Sequence, residues 1–319
     1  MITFTLSHVV PGDPAALVAG KEADPQVIEQ VREELGLNKP LYQQFLLYFE
    51  RLFLKFDLGK SIISKRPVVE DIKAYFPATF ELVAIPMILV TVLGVWTGAI
   101  SAIWRNSVLD HIVRIITLSG ISIPIFWLAL MLQLFAISIF TEFPIDGRVS
   151  ITVLLHHPMK NISGLYIVDS MLQHNWPVFK SAVLHIILPA LTVTFCSIAQ
   201  ITRITRAAMI QVMYQDYIRT AEAMGISSLK IIYKYGLRNT FIPVLTVVGM
   251  IYKWLLAGSV LLELIFSWPG IGRYAVNAIF SLDFPAIMGV TIFSSMIVIF
   301  LNLIIDMLYP VINPTVKYE

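Results

Sequence analysis

The stretch from Asp216 to Thr246 reads DYIRTAEAMGISSLKIIYKYGLRNTFIPVLT. It lies mostly in a polar, basic loop, Arg203 to Thr240, set between two long apolar runs. A loop that only joined two membrane spans needs far fewer residues, so its length suggests a docking surface for another protein. Ala207 through Tyr217 reads as a continuation of the preceding helix, and Arg219 to Met224 as a short helical stretch that Gly225 ends. Glycine at that place allows a left-handed backbone and a sharp change of direction. Ser227 then opens SSLKIIYKYGL, a second short helix with Ile231, Ile232 and Tyr235 on its apolar face. Two helices around a glycine corner make a compact knob. The plainer alternative is an ordinary re-entry turn.

The composition around this loop fixes the solvent. With 57% hydrophobic residues, 14% charged residues and a mean hydropathy of +0.77, the chain carries too much apolar surface for a soluble domain. A membrane helix needs about 20 mostly apolar residues, and five stretches qualify: about 80–103, 112–140, 182–202, 241–266 and 285–309. An all-α polytopic membrane protein follows. The opening MITFTLSHVV is too short to span and lacks the basic start and cleavage site of a signal peptide. It is expected to be the stump of a longer first helix; a short buried or interfacial segment is the alternative. The single cysteine, Cys196, falls inside an apolar run and excludes a disulfide within the chain. A net charge of +2 gives no reason to invoke nucleic acid.

The basic residues give an orientation. Arg203, Arg206, Arg219, Lys230, Lys234 and Arg238 face only Asp216 and Glu222 in the long loop, whereas the loop at about 141–181 is balanced. The positive-inside rule places the first loop in the cytoplasm. The Trp104 to His111 turn and the C-terminal NPTVKYE then also lie inside, with segment 11–79 and the loops at 141–181 and 267–284 outside. In the outer segment, DPQVIEQVREELGL (Asp24 to Leu37) reads as a capped helix with Pro at its first position, and PLYQQFLLYFERLF (Pro40 to Phe53) as an amphipathic one.

Catalytic signatures are missing from the sequence: there is no phosphate-binding loop, no dinucleotide fingerprint, no HExxH, and no Cys/His cluster with metal spacing. His156 and His157 beside Pro158 do not amount to a metal site. Glu263 and Asp306 are ionisable residues within apolar runs. Asp306 lies near the cytoplasmic end of its run, where it reaches the interface, and Glu263 near the outer end of its own, where a structural partner or a water-lined vestibule serves it better than a proton relay. His185 begins its run and reads as interfacial. Energy for any work must come from another chain or from an ion gradient.

The residues of the quoted stretch resemble the cytoplasmic coupling loop of ABC importer permeases, in which Glu-Ala-Ala is followed three residues later by Gly. Here Arg219, Thr220 and Ala221 take the first three places and Gly225 the last. Arg219 for glutamate and the distant Pro243 both match the dipeptide, oligopeptide and nickel branch, with its YxRTAxAxG and LRNxxIPVLT pattern. PGDPA (Pro11 to Ala15), SWPGIGRYAVNAIFSLDFPAIMG (Ser267 to Gly289) and NPTVKY resemble the same branch, so the resemblance covers nearly the whole chain.

The resemblance implies a type I ABC importer transmembrane fold with six helices, five of them complete here. It further implies a remnant first helix and outer helical segment over 1–75, the permease domain over 76–310 and a cytoplasmic tail over 311–319. The expected function is a permease subunit, not an enzyme, forming half of the pathway for di- or oligopeptides. The expected partners are a second related permease, two ATPase subunits that bind the ATP and magnesium, and an external solute-binding protein, with no cofactor in this chain. Tyr217, Arg219, Thr220, Ala221, Ala223 and Gly225 are the expected ATPase-coupling residues. Glu263, Trp268, Pro269, Gly270 and Gly272 are expected at an outer gate or binding-protein contact, with WPGIG as an irregular turn or a rigid one anchored by an interfacial Trp268. The alternatives are an importer of nickel or another non-peptide solute, a secondary carrier or channel, and a membrane-embedded enzyme.

Overall fold

The computed structural model describes residues 15, 24–34, 38–55, 57–140 and 142–312. MITFTLSHVV, the PGDPA motif apart from Ala15, and NPTVKYE lie outside the described residues. The described chain is helical: α1 (Pro25–Glu34), α2 (Leu41–Lys55), α3 (Val68–Ile103), α4 (Val108–Ser122), α5 (Ile125–Ile139), α6 (Ile151–His156), α7 (Tyr166–Leu172), α8 (Trp176–Met213), α9 (Asp216–Ala223), α10 (Ser228–Lys230), a π-helical stretch Ile231–Leu237, α11 (Arg238–Ile265), α12 (Ile271–Phe280) and α13 (Phe284–Ile312).

Among the described residues, four helices are long and apolar enough to cross a membrane: Val68–Ile103, Trp176–Met213, Ser228–Leu256 and Phe284–Leu308. The fifth apolar run is not one straight helix. It is built as α4 and α5, which meet at 104°. Pro124 causes the break: it disfavours helical geometry in the residue before it, and Ile123 sits at φ −93°, ψ 126°.

The chain divides into two compact units, Met1–Pro77 with Pro269–Met296, and Ala78–Trp268 with Ile297–Glu319. In the first unit, Val68, Ile72, Ile271, Ala278, Ala286 and Val290 form the core, with Tyr75, Tyr274 and Phe293 against it. Two buried carboxylates fix it. Asp283 accepts from Ser61 Oγ at 2.5 Å and from the Ala286 N–H at 3.2 Å, and Asp71 meets Arg66 at 2.5 Å and the Tyr274 hydroxyl at 3.1 Å. Burial, together with the Asp71 charge and hydrogen bond, pushes the Tyr274 hydroxyl above the usual phenol range. Helix α1 starts as its sequence requires, with the Gln26 N–H bonded to Asp24 Oδ1 at 3.0 Å.

In the second unit α8 is the central helix, packed against α4, α5, α7 and α11. Leu82, Val90, Ile201, Leu255, Leu262, Phe266 and Trp268 fill the core. Gly120 of α4 lies directly on the Phe195 backbone of α8, leaving no room for a Cβ, so these helices cross in backbone contact.

Two local expectations need correction. Helix α8 stops at Met213 instead of running to Tyr217; Gln215 is extended at φ −73°, ψ 150°, and the break lets α9 turn back and bury Ile218 and Ala221. The second loop helix is not separate, because nothing after Ser227 breaks it, and it continues through the π-helical stretch into α11. His185 lies nine residues into α8, which begins at Trp176, and is buried with Nδ1 2.7 Å from the Ser181 carbonyl.

Candidate functional site

The knob forms where α8 ends. Helix α9 closes with two hydrogen bonds, Gly225 N–H to the Glu222 carbonyl at 2.9 Å and Ile226 N–H to the Ala221 carbonyl at 3.1 Å. This is a Schellman ending, and it requires a left-handed residue at Gly225, where φ is +72°. The turn brings Ile226 onto a small apolar cluster of Ile218, Ala221 and Ile231, with Met213 and Tyr235 at its edge. Ala221 is therefore a buried pin of the knob and not part of its outer face. Asn239 Nδ2 donates to the Tyr217 hydroxyl at 3.1 Å and to the Tyr235 carbonyl at 2.8 Å, tying α9 to the start of α11. A Cβ at Gly236 would meet Met209 Cε at 2.5 Å, so the π-helical stretch lies close against α8.

The outer face of the knob is open. Arg219 is 71% exposed, with its guanidinium 3.6 Å from a still more open Asp216, an ion pair worth little in water. Tyr217, Thr220, Glu222, Ala223, Met224, Gly225, Leu229 and Tyr233 are exposed around it. A surface that mixes Met224, Leu229 and Tyr233 with an uncommitted guanidinium has the composition of a protein contact.

Below the knob, Asp110 is a rigid joint that sequence reasoning missed. It is fully buried and accepts from Arg206 twice, at 2.9 Å from Nε and 2.8 Å from Nη2. It also accepts from Ser101 Oγ and, at 3.0 Å, from the Asn106 N–H. One carboxylate thus locks the end of α3, the following turn, the start of α4 and the extension of α8 that carries the knob. The short turn WRNSVLDH contains this acid, but Arg206 is ninety-six residues away, and only the fold pairs them.

At the other end of this unit, Arg148 bonds Glu81 through Nε at 3.2 Å, donates to the Gly164 carbonyl at 2.9 Å and lies over the Tyr166 ring at 4.0 Å. Asp169 gathers the Ser163 hydroxyl at 2.6 Å and the N–H groups of Ile162, Ser163 and Gly164. Burial raises its pKa, but these hydrogen bonds outweigh burial and hold it below the usual carboxylate value. Glu263 is fully buried and accepts from Thr79 at 2.7 Å and Ser259 at 3.2 Å. Trp268 is not an interfacial anchor: it is 1% exposed, and its indole N–H donates to the Ala78 carbonyl at 2.7 Å.

In the first unit, Gly270 caps α12, and Gly272 is buried in the first turn of that helix. The irregular part of WPGIG is thus confined to its first residues. No group of three or more metal-ligating side chains occurs among the described residues.

The sequence reading also passed over Lys253. It stands in the middle of the 241–266 run, and a single basic residue at that depth was the available signal.

Comparison with known proteins sets this geometry in a family. Residues 83–318 match the binding-protein-dependent transport system inner membrane component, and residues 1–83 match the N-terminal region described for such components. The chain is 42% identical, over 99% of its length and 92% of the relative's, to a probable D,D-dipeptide transport system permease protein of Escherichia coli K12. It is 40% identical to a dipeptide transport system permease protein of Alkalihalophilus pseudofirmus, over 100% of this chain and 94% of that one. A glutathione transport system permease protein of Pectobacterium atrosepticum is 38% identical over the same shares. Among solved structures, an inward-facing MetNI methionine ABC transporter matches with a TM-score of 0.52 at 14% identity, over 74% of this chain and 94% of that one, and so shares its fold. The fold is that of a type I ABC importer transmembrane subunit, and the chain belongs to the family of binding-protein-dependent transport system inner membrane components.

Proposed function

We propose that this multi-pass inner-membrane subunit forms half of the pathway of a peptide importer and couples that pathway to ATP hydrolysis carried out in separate subunits. The observation that carries the coupling role is the open knob at the end of α8, closed by Gly225 at φ +72° and pinned by buried Ile218 and Ala221. Its exposed face would seat in a groove of an ATPase. The unbroken path from α10 through the π-helical stretch into α11 then passes a push on the knob directly to a membrane span. As a family member the chain is a transport component and not an enzyme. ATP and magnesium would be held by two partner ATPase subunits, and a second related permease would complete the pathway.

Peptide is the proposed cargo because the relatives named above carry dipeptide and glutathione in their names. An external binding protein would deliver it. In the proposed orientation the knob and the C-terminus face the cytoplasm, in keeping with the basic residues of the long loop. For the outer gate, the full burial of Glu263 and Trp268 supports a role in bracing the gate over direct contact with the binding protein. The test is uptake of a radiolabelled dipeptide by cells lacking this chain. Restoration by the wild-type chain and not by Gly225→Val is expected, and uptake unaffected by either would contradict the proposal.

A further inference from the structure

Lys253 lies fifteen residues after Arg238 and ten before Glu263 on α11. At a rise of about 1.5 Å per residue, it stands about 22 Å and 15 Å along the helix from those charges, deep within an apolar span. Its Nζ donates to Asn302 Oδ1 of α13 at 2.6 Å, and both side chains are half-buried. Two buried carboxylates of this unit are treated differently: Asp110 faces Arg206, and Glu81 faces Arg148. Lys253 faces a neutral amide, and it takes part in none of the ion pairs among the described residues. Asn302 therefore aims the ammonium without neutralising it.

A lysine at this depth is costly against lipid, and such residues face a bundle interior or a water-filled path, where they mark the route of a solute. We propose that Lys253 is a solute-reading residue of the pathway, whose ammonium takes a carboxylate of the peptide as it crosses. Every peptide with a free C-terminus carries that group. A single ammonium held by a neutral partner binds it through a charge-assisted hydrogen bond and can release it again. This inference rests on the peptide-importer reading of the preceding subsection.

The test uses the assembled importer in proteoliposomes with its binding protein, measuring uptake of radiolabelled dialanine. Lys253→Gln keeps a donor for Asn302 and removes the charge, Lys253→Arg keeps the charge, and Asn302→Ala keeps the charge and removes the neutral partner. Complex yield and ATP hydrolysis are measured alongside.

The expected result is at least about a tenfold loss of uptake for Lys253→Gln with assembly and ATP hydrolysis retained, near-normal uptake for Lys253→Arg, and a smaller loss for Asn302→Ala. Wild-type uptake by Lys253→Gln overturns the inference while leaving the importer reading intact. So do equal losses for Lys253→Gln and Asn302→Ala, which make the bond a strut between helices. Loss of the second permease from the Lys253→Gln complex also overturns it, by placing the countercharge in that subunit. Should Lys253→Gln fail to insert, the other two variants decide: near-normal uptake by Lys253→Arg with no more than a partial loss in Asn302→Ala upholds the charge, whereas a loss in Lys253→Arg as large as that in Asn302→Ala, or abolished uptake in Asn302→Ala, makes the bond a strut and overturns the inference. A wild-type importer that takes up no dialanine defeats the peptide reading first and this inference with it.

Discussion

At Gly225 a conformational demand falls on a single residue. A Cβ there would meet nothing within 4 Å, so a side chain is opposed by backbone conformation alone, φ +72°, and not by crowding. That strain costs a non-glycine residue about 1–2 kcal/mol, enough to open a surface turn and too little to prevent membrane insertion. Gly225→Val is expected to insert normally and lose uptake, whereas Gly225→Asn, which tolerates the left-handed region, is expected to keep most of it; membrane yield and dipeptide uptake measured together check both. Asp110 gives the opposite case. Removing one partner of a buried ion pair is costly, and with Arg206 21% exposed the expected loss for Asp110→Ala is about 2–3 kcal/mol. It should appear as a lower unfolding temperature in detergent, with a smaller effect for Arg206→Lys. The glycine was legible in the sequence because its spacing from Arg219 is local. The Asp110 joint was not, because an acid in a short turn and an arginine ninety-six residues later carry no mark of pairing until α3, α4 and α8 are packed.

Among the elements, the apolar runs announced the spans, and the bend between α4 and α5 was the feature they concealed. The run at 112–140 is apolar throughout, and hydropathy carries no direction; only Pro124 and the extended Ile123 before it bear the 104° turn. Helix ends were similarly half legible. Gly225 signals its own Schellman turn, but α7, α11 and α12 end through His174, Ser267 and Leu282 at φ 53°, 48° and 54°, residues that give no such signal. The loop held by Asp169 yields a prediction in pH. Its native pKa lies below the ordinary 3.8, so the stabilisation is present above that value and is lost as pH falls through the native one. Asp169→Asn should therefore unfold at a lower temperature than the wild type near neutral pH, and the gap should close as the pH is taken below about 4. A gap that widened in acid would contradict the assignment.

For the whole molecule, what separates a coupled permease from a self-contained carrier is the number of chains needed to do the work. The knob at Asp216–Gly225 makes sense as a surface awaiting a partner, since its pin is buried and its face is open. Its place between α8, the central helix, and α11 gives any partner leverage on two membrane spans at once. Family membership was legible in three separated motifs, whereas Lys253 was hidden in plain view, a single charge in an apolar run whose partner Asn302 comes from another helix. The most direct measurement is purification of this chain from its native membrane in mild detergent, with mass spectrometric identification of what accompanies it. Recovery of ATPase subunits and a related permease, with the ATPases lost from Gly225→Val, is the predicted result; a correctly inserted chain recovered alone would contradict the coupling role.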